Sequence, residues 1–459
     1  MSLREQVLRG GAFLIARQGL GLVLSLAALF LVTKIIGPSA YGVYASALGL
    51  VSFVLQIASL GANVYLVRSP DLDEKDYQAA LALYGWIGLA LLVLAFPIGK
   101  ALQLYTKISG LDWVTAVLLL GLPVFLIGQV FLAKLERTLD FARVAVAELA
   151  GSLSYLLVAV PLAWQGWGYW APSFGWLVSQ GVVTLLYARF AATPLRPRWH
   201  RERVRAMLEY GMGFSASLWV WQIRILALPL VVAPLAGPQG AGYVALAVRL
   251  VEALSFVKSA TWRLSISALA RIQQESPRLR RAVEEGMYLQ VLALGPFLLA
   301  FAWLGPWLVP RLLGEAWSEA LLVYPFIALA YLVNGVFSLH SSALYVLKYN
   351  WQVTLFHFAH VAILFPAAWW FVGRLGFVGY GLAELAAFAS YVVIHRYFTS
   401  VLGALDYKAA LWIVLAFGSP LFWQFLGVWA FLPFVLWLIS PGTWRTIALY
   451  AKILGGRHG

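Results

Sequence analysis

Long apolar runs, interrupted by charged or Gly- and Pro-rich breaks, recur along almost the whole chain. A helix needs about 20 mainly apolar residues to span a bilayer, and most of these runs are that long. They predict six spans before a basic segment at residues 196–205 and six after it: 11–33, 42–66, 78–98, 113–133, 144–163, 171–188, 208–232, 242–262, 286–308, 321–346, 351–372 and 377–395.

A last apolar run, residues 409–440, is too long for one span and is broken at Gly418-Ser419-Pro420. Because proline ends or kinks a helix, this run predicts two short helices. The fold class predicted from the pattern is therefore an all-α polytopic membrane protein with 14 transmembrane helices.

The composition agrees with that class and removes several kinds of chemistry. Of the 459 residues, 62% are hydrophobic and 11% are charged, which excludes a water-soluble globular protein. The chain has no Cys, which excludes disulfides, thiolate metal sites and a cysteine nucleophile. We expect no cofactor and no metal, with a proton or sodium gradient as the candidate driving force.

The positive charges indicate an orientation. With the N-terminus inside, 24 of the 33 Lys and Arg residues fall in inside segments and five in outside loops. We therefore expect a multi-pass protein of the plasma (inner) membrane with both termini cytoplasmic. The basic clusters at residues 196–205 and 278–281 would then meet anionic lipid headgroups. We therefore expect these positive charges to bind membrane lipids and not nucleic acid.

The chain contains an internal repeat. A shift of 200 residues lays residues 36–51 over 236–251 with seven identities, among them Gly37 on Gly237, Pro38 on Pro238 and Gly42 on Gly242. A repeat offset by an even number of spans implies two lobes related by an axis along the membrane normal, and such lobes can enclose a cavity and rock. The predicted domains are an N-lobe (1–206, helices 1–6), a C-lobe (207–400, helices 7–12) and a C-terminal part (401–459, helices 13–14 and a cytoplasmic tail).

The segment Gly37-Pro38-Ser39-Ala40-Tyr41-Gly42-Val43-Tyr44 resembles the G-P-x-x-Y-G-x-Y/F stretch of Wzx-type oligosaccharide-lipid flippases. These form the polysaccharide transporter family of the multidrug/oligosaccharidyl-lipid/polysaccharide exporter superfamily. The resemblance implies outward movement of a polyprenyl-(pyro)phosphate-linked oligosaccharide by alternating access, for surface polysaccharide assembly. It also implies a lipid-linked glycan substrate and polysaccharide polymerase machinery as partners. Lipid-linked peptidoglycan precursor flippases and multidrug extruders of the same superfamily are the alternatives.

Three arginines, Arg17, Arg224 and Arg249, lie inside predicted spans. A charge near the bilayer centre costs about 2.5 to 3.5 kcal/mol, so each should face a hydrated cavity or a partner. A guanidinium binds phosphate oxygens through two parallel hydrogen bonds, which makes these arginines the predicted substrate-binding residues. The alternative for each is a structural role, as an interhelical ion pair or with the side chain extended to the membrane interface. This alternative is strongest for Arg249, because Glu252 follows at i+3 on the same helix and can neutralise it.

Other intramembrane polar residues give further candidates. Glu252 and Glu384 are candidates for ion coupling, with pairing to arginine as the equal alternative. Gln222, Asn334 and His340 are candidate sugar contacts, and each can equally serve as a helix–helix contact.

The alternative class is an enzyme, a multi-span glycosyltransferase or polymerase, which would need acidic residues in a large outer loop. The longest acidic cluster in the predicted outer loops is only Glu315 and Glu319. We therefore expect a transporter and no enzyme. Its buried charges are mainly arginine, which suits an anionic headgroup better than a cationic drug.

Overall fold

The computed structural model describes residues 3–444 apart from 70, 193–195, 257 and 259–268. It describes side chains from residue 24 onward, apart from 25, 212–215 and those same gaps. Every regular element in this part of the chain is helical. That is what a bilayer requires, because a helix pairs its backbone donors and acceptors within one segment.

The α-helices in chain order are α1 (Leu3–Ala58), α2 (Ala62–Arg68), α3 (Glu74–Thr106), α4 (Leu111–Leu120), α5 (Leu122–Arg137), α6 (Phe141–Trp164), α7 (Trp170–Phe190), α8 (Arg201–Gln222), α9 (Ala233–Leu254), α10 (Ser276–Leu313), α11 (Ala320–Val346), α12 (Asn350–Leu375), α13 (Val378–Ala386), α14 (Tyr391–Leu402), α15 (Lys408–Gly418), α16 (Trp423–Leu426) and α17 (Leu432–Ile439). Short 3-10 or π segments join several of them.

Within the described residues, ten helical stretches are long and apolar enough to cross a membrane. Three of them, Leu26–Ala58, Ala216–Leu254 and Lys408–Ile439, each overlap two of the predicted spans. The sixth predicted span corresponds to α7. The protein is thus an all-helical, multi-pass membrane protein, as predicted, and the number of 14 transmembrane helices stays a prediction.

The chain forms two compact units. The first comprises Met1–Ala245, Pro310–Trp317 and Ala368–Tyr380, and the second comprises Leu246–Val309, Ser318–Ala367 and Gly381–Gly459. The lobe boundaries at 206 and 400 stay a prediction.

Two glycines give the repeat a common backbone shape. Gly37 has φ 77° and ψ 172°, and Gly237 has φ 72° and ψ 176°. Residues with a Cβ rarely adopt such positive φ values, so glycine is required at both kinks. A proline follows each glycine and donates no N–H to the preceding turn. The two copies detected in the sequence therefore share one local structure.

The two copies pack directly on each other within the first unit, at a contact that we call the glycine crossing (residues 38–42 and 238–242). A Cβ on Gly42 would lie 1.7 Å from the carbonyl oxygen of Pro238, and a Cβ on Gly242 would lie 2.1 Å from that of Pro38. Both distances are far below van der Waals contact, so the crossing brings backbone against backbone. The contact is reciprocal, as a twofold relation between the copies requires.

Aromatic rings surround the glycine crossing. Trp317 is 1% exposed, and its ring centroid lies 5.7 Å from that of Tyr41 and 6.4 Å from that of Tyr243. Its indole Nε1 donates to the carbonyl oxygen of Thr33 at 3.2 Å, which satisfies the one polar atom of the ring. Phe377 packs on Tyr243 at 5.0 Å between ring centroids. The crossing is therefore enclosed by rings.

A second contact in the first unit is ionic, and we call it the arginine clamp (Asp73, Asp76 and Arg203). Asp73 caps the start of α3, and its side chain and that of Asp76 each accept a hydrogen bond from the other's backbone N–H. Arg203 on α8 donates to Asp73 at 3.1 Å and to Asp76 at 3.3 Å. The Tyr65 hydroxyl also donates to Asp76, at 3.4 Å. The clamp thus joins the first turns of α3 and α8.

The Asp73 carboxyl stays ionised at neutral pH. Partial burial raises its pKa, but hydrogen bonds from Asp76 and the positive charge of Arg203 outweigh burial, and the net pKa lies below its usual value. A carboxyl whose folded-state pKa is lowered stabilises the fold above its unfolded-state pKa and loses that contribution as the pH falls through the folded-state pKa. The Asp73 part of the clamp is therefore formed throughout the neutral range.

Between α8 and α9 the helix changes its hydrogen-bond pattern twice. Residues Ile223–Leu226 form a 3-10 segment, and Leu228–Val232, which contains Pro229, form a π segment. The Tyr105 hydroxyl of α3 donates to the carbonyl oxygen of Leu230 at 2.8 Å. Such segments often mark hinges or functional positions in helices, and the 3-10 segment contains Arg224.

We predict that Gly42→Ala destabilises the protein by about 1 to 3 kcal/mol or more, because the new methyl group must force the two backbones of the crossing apart. Gly85→Ala in α3 is the matched control, since nothing lies within 4 Å of a Cβ there. That control should change stability by at most about 1 kcal/mol. Thermal unfolding of the detergent-solubilised proteins measures both, and equal midpoints would show that the backbones do not meet at Gly42.

Candidate functional site

One of the predicted arginines forms an ion pair on α9. Arg249 Nη1 lies 3.2 Å from Glu252 Oε2, and the two side chains are 50% and 40% exposed. The i+3 spacing in the sequence indicated this pairing. Two exposed charges inside a span should face water rather than lipid, because charge on a lipid face is costly. The pair therefore indicates the side of α9 that faces a hydrated space.

A chain of polar contacts continues from this pair to two further helices in the same unit. The Tyr331 hydroxyl of α11 donates to Glu252 at 3.3 Å. Lys258 lies with its ammonium 4.9 Å from the centroid of the Tyr331 ring and donates to Asn334 Oδ1. Asn334 Nδ2 in turn donates to the Tyr391 hydroxyl of α14 at 3.0 Å. We call these side chains, together with Arg249, the polar chain.

The sequence indicated only part of the polar chain. Lys258 was not among the predicted site residues, and its ammonium contacts Asn334 and the ring of Tyr331. Asn334 was a candidate sugar contact, and Tyr331 lies three residues before it on the same face of α11. That spacing was the available signal for Tyr331. Tyr391 is 57 residues from Asn334, and no local pattern connects the two.

Farther along α11 the surroundings become aromatic and buried. Phe337 stacks on Tyr391 with ring centroids 4.3 Å apart and planes 13° apart. His340 is fully buried, and its Nε2 lies 2.6 Å from the hydroxyl of Tyr407. His395 Nδ1 lies 2.8 Å from the same hydroxyl. A sugar contact by His340 stays a prediction, and it would require this buried arrangement to open.

Tyr407 serves as a hydrogen-bonding centre in this cluster. Burial raises the pKa of its phenol, so the hydroxyl keeps its proton at neutral pH. A phenol has a single proton, so it donates to one imidazole and accepts from the other. Tyr407 therefore holds the start of α15 to α11 and α14 through a directional pair of hydrogen bonds.

Arg224 and Gln222 lie in the first unit, next to the break between α8 and α9. The guanidinium carbon of Arg224 lies 4.8 Å from the centroid of the Trp221 ring, a cation–π geometry. Both Arg224 and Gln222 are partly buried. The ring contact orients the plane of the guanidinium.

The remaining predicted site residues are placed less fully. Arg17 belongs to α1, but its side chain lies outside the described residues. Glu384 of α13 is 6% exposed, which puts a carboxyl group in a buried position of the second unit. Its role in ion coupling stays a prediction. Among the described residues, no group of three or more His, Asp and Glu side chains is arranged to hold a metal ion.

Comparison with known families identifies the chain. A family model described as "Polysaccharide biosynthesis protein" matches residues 31–322, which is more than half of the sequence. The chain belongs to this family. The match includes both copies of the glycine crossing, Arg224 and the Arg249–Glu252 pair. The family resemblance predicted from the segment Gly37–Tyr44 is thereby confirmed.

Two curated relatives of the chain have names that refer to polysaccharide biosynthesis. The chain is 22% identical over 344 residues to "Lipopolysaccharide biosynthesis protein WzxC" of Escherichia coli (strain K12), covering 73% of this chain and 69% of the relative. It is 24% identical over 365 residues to "Succinoglycan biosynthesis transport protein ExoT" of Rhizobium meliloti (strain 1021), covering 77% of this chain and 70% of the relative.

Solved structures with the same fold include two transporters. "Lipid II flippase MurJ, inward closed conformation" superimposes with a TM-score of 0.73 at 13% identity, over 96% of this chain and 98% of that one. An inward-facing multidrug resistance MATE family transporter of the MOP superfamily superimposes with a TM-score of 0.68 at 15% identity, over 84% and 98%. At these identities the likeness shows the fold alone.

The ion pair on α9 leads to a pair of opposite predictions. Glu252→Gln removes the carboxylate that balances Arg249, so binding of the predicted polyprenyl-(pyro)phosphate ligand should strengthen by about three- to fivefold, the size expected of an exposed charge pair. Arg249→Ala should weaken it by at least as much. Thermophoresis of the purified proteins with that lipid measures both affinities.

The control is Glu209→Gln, which removes an exposed glutamate that pairs with Arg205 at 2.7 Å within α8. Its affinity should equal that of the native chain. Weaker binding by Glu252→Gln would mean that the carboxylate itself contacts the ligand, contrary to this assignment.

Proposed function

We propose that the protein is a flippase that moves a polyprenyl-(pyro)phosphate-linked oligosaccharide from the cytoplasmic to the outer leaflet of the plasma membrane, for surface polysaccharide assembly. The observation that carries the proposal is membership of the polysaccharide biosynthesis family over residues 31–322. The relatives named for lipopolysaccharide biosynthesis and succinoglycan transport support a glycan substrate.

The polar chain supports the same class of substrate by its chemistry. It contains a guanidinium, an ammonium, an amide and two phenols, together with one carboxylate, all on α9, α11, α14 and the residue Lys258. Cationic groups bind phosphate oxygens, and amide and phenol groups bind sugar hydroxyls. A glycan linked to a (pyro)phosphate presents both kinds of group.

The charges also bear on the alternatives. A lipid-linked peptidoglycan precursor flippase and a multidrug extruder share this fold, so the fold does not separate them. A carrier of cationic drugs needs net negative charge in its binding site, whereas the polar chain has two cations and one carboxylate. The family match favours a polysaccharide precursor over a peptidoglycan precursor.

The glycine crossing supports alternating access as the mechanism. With the N-terminus in the cytoplasm, as the charge distribution predicts, the crossing lies at the outer face. Closed there, it keeps one side of the first unit sealed, and release to the outside requires it to separate. A proton or sodium gradient would drive the cycle, with Glu252 and Glu384 as the candidate coupling groups.

The arginines give the test of the proposed function. In a strain deleted for this gene, a lipid-linked oligosaccharide should accumulate on the cytoplasmic side, and the native chain should clear it. Arg17→Ala, Arg224→Ala and Arg249→Ala should each reduce export about tenfold or more without impairing membrane insertion, because removing a charge does not raise the insertion cost.

The corresponding Lys variants should restore export only in part, since lysine supplies the charge without the planar fork of donors. Arg205→Ala serves as the control, because Arg205 pairs with Glu209 on an exposed face of α8. Extraction and sugar analysis of the lipid-linked glycan provide the measurement. Full export by all three Ala variants at normal protein levels would rule out the arginines as substrate ligands.

The crossing gives a second test. The chain has no native cysteine, so Ser39→Cys and Gln239→Cys place two thiols in equivalent loops without background. A cross-link between them should hold the outer face closed and arrest export until it is reduced. Each single-cysteine variant, treated with the same oxidant, is the control. Normal export by the fully cross-linked protein would show that the crossing does not open.

A further inference from the structure

The segment from α8 to the start of α9 is fastened to the N-terminal helices of the first unit at two places. One is the glycine crossing, where Gly242 meets Pro38. The other is the arginine clamp, where Arg203 meets Asp73 and Asp76. Arg203 and Pro238 are separated by 35 residues of nearly continuous helix, a rise of about 50 Å. That rise exceeds the bilayer's hydrocarbon thickness of about 30 Å, so the two contacts lie at opposite membrane faces.

The two contacts have different chemistry. The crossing is backbone against backbone, enclosed by aromatic rings. The clamp is ionic, and it is open to water on one side, since the side chains of Arg203 and Asp73 are 39% and 48% exposed. Asp76 alone is fully buried. An exposed ion pair breaks at a small net cost because water replaces each partner. Withdrawal of α8 would also admit the water that hydrates Asp76.

The clamp is a specific contact and not general interfacial charge. Two residues after Arg203, Arg205 pairs with Glu209 on its own helix and contacts no carboxylate of α3 in the described structure. The connection before α8 docks on α3 as well. The backbone N–H of Arg198 donates to the carbonyl oxygen of Gln78 at 3.2 Å, and His200 Nε2 lies 3.5 Å from Gln78 Oε1.

The chain that leads to the clamp carboxylates is interrupted between α1 and α2. Leu60 and Gly61, between α1 and α2, have φ values of 46° and 70°. A leucine in this left-handed region is strained, and such strain concentrates at positions that move. Gly211 of α8 packs on this turn, since a Cβ there would lie 2.1 Å from the carbonyl oxygen of Leu60. A separation at the clamp therefore has a point about which α2 and the start of α3 can bend away from α1.

We propose that the arginine clamp is the inner gate of the first unit: Arg203 releases Asp73 and Asp76 to admit the anionic headgroup of the substrate while the glycine crossing stays closed. This inference rests on the proposed function for its substrate, but the movement itself does not depend on it. Arg203 acts as a gating residue by holding α8 on α3. When released, its guanidinium faces the entrance and attracts the entering (pyro)phosphate.

Cross-linking tests the gate without changing the clamp residues. Gln78→Cys and His200→Cys, joined by a bis-methanethiosulfonate that forms a disulfide with each thiol and releases methanesulfinate, should hold α8 on α3, and export should fall about tenfold or more and recover on reduction. The control joins Lys100→Cys and Gln103→Cys, whose native side chains hydrogen-bond at 2.8 Å within α3, so bridging them restrains no movement between helices. Normal export by the protein cross-linked at 78 and 200 would overturn the proposal.

Thiol labelling tests the same movement without any substrate. Met207 of α8 is fully buried, so a thiol from Met207→Cys should react slowly with N-ethylmaleimide in purified protein. Adding Arg203→Gln should speed that reaction about tenfold, the size expected when a charged hydrogen bond is lost. Arg203→Lys should give an intermediate rate, and Arg205→Gln should give the rate of the parent.

The two experiments separate the gate from the proposed function. An unchanged labelling rate in the Arg203→Gln protein, shown to be folded by its elution profile, would overturn the gate. Faster labelling of the Arg203→Gln protein, together with a native chain that fails to clear any lipid-linked glycan from the deletion strain, would support the gate and overturn the proposed function. Arrest by the 78–200 cross-link together with faster labelling in Arg203→Gln would support both.

Discussion

The first unit depends on one steric constraint, the approach of two backbones at the glycine crossing. A Cβ at Gly42 would fall 1.7 Å from the carbonyl oxygen of Pro238, so no residue other than glycine fits. The helices of a membrane protein gain little from hydrophobic burial against each other, since lipid is equally apolar, and close packing at small residues is a main source of their association. The kinks at Gly37 and Gly237 aim both copies at this point, and the aromatic rings of Tyr41, Trp317 and Tyr243 enclose it.

The second unit is organised by the opposite requirement, that charges within a membrane must have partners or water. Arg249 pairs with Glu252, Tyr331 hydrogen-bonds to that same carboxylate, and Lys258 contacts Asn334. These contacts meet at Tyr331 and Asn334, which lie one turn apart on α11. Farther along the same helix, Phe337 stacks on Tyr391 and His340 hydrogen-bonds to Tyr407. The surroundings of α11 thus change along its length, from exposed charges beside Tyr331 to buried, hydrogen-bonded rings at His340.

A transporter that alternates between two open faces needs contacts that are firm yet reversible. In the first unit, the crossing offers steric fit without charge, and the arginine clamp offers charge with partial access to water. Separating the crossing exposes backbone and aromatic surface, whereas separating the clamp exposes groups that water solvates well. This difference gives the two ends of the unit different energetics of opening, although both hold the same α8–α9 segment.

Local features were determined by the sequence alone: the helical membrane fold, the repeat at Gly37 and Gly237, and the i+3 pair of Arg249 and Glu252. Each of these features depends on residues a few positions apart or on identical residues repeated along the chain. The polar chain beyond Glu252 and the clamp were decided by tertiary structure. Arg203 is 127 residues from Asp76, and Tyr391 is 57 from Asn334, so their contacts arise only when separate helices pack. The irregular helical segment between α8 and α9 also depends on tertiary structure. There the carbonyl oxygen of Leu230 accepts a hydrogen bond from the hydroxyl of Tyr105, which is 125 residues away. Apolar composition shows that a segment enters the membrane, but which polar groups meet inside depends on how the helices pack against each other.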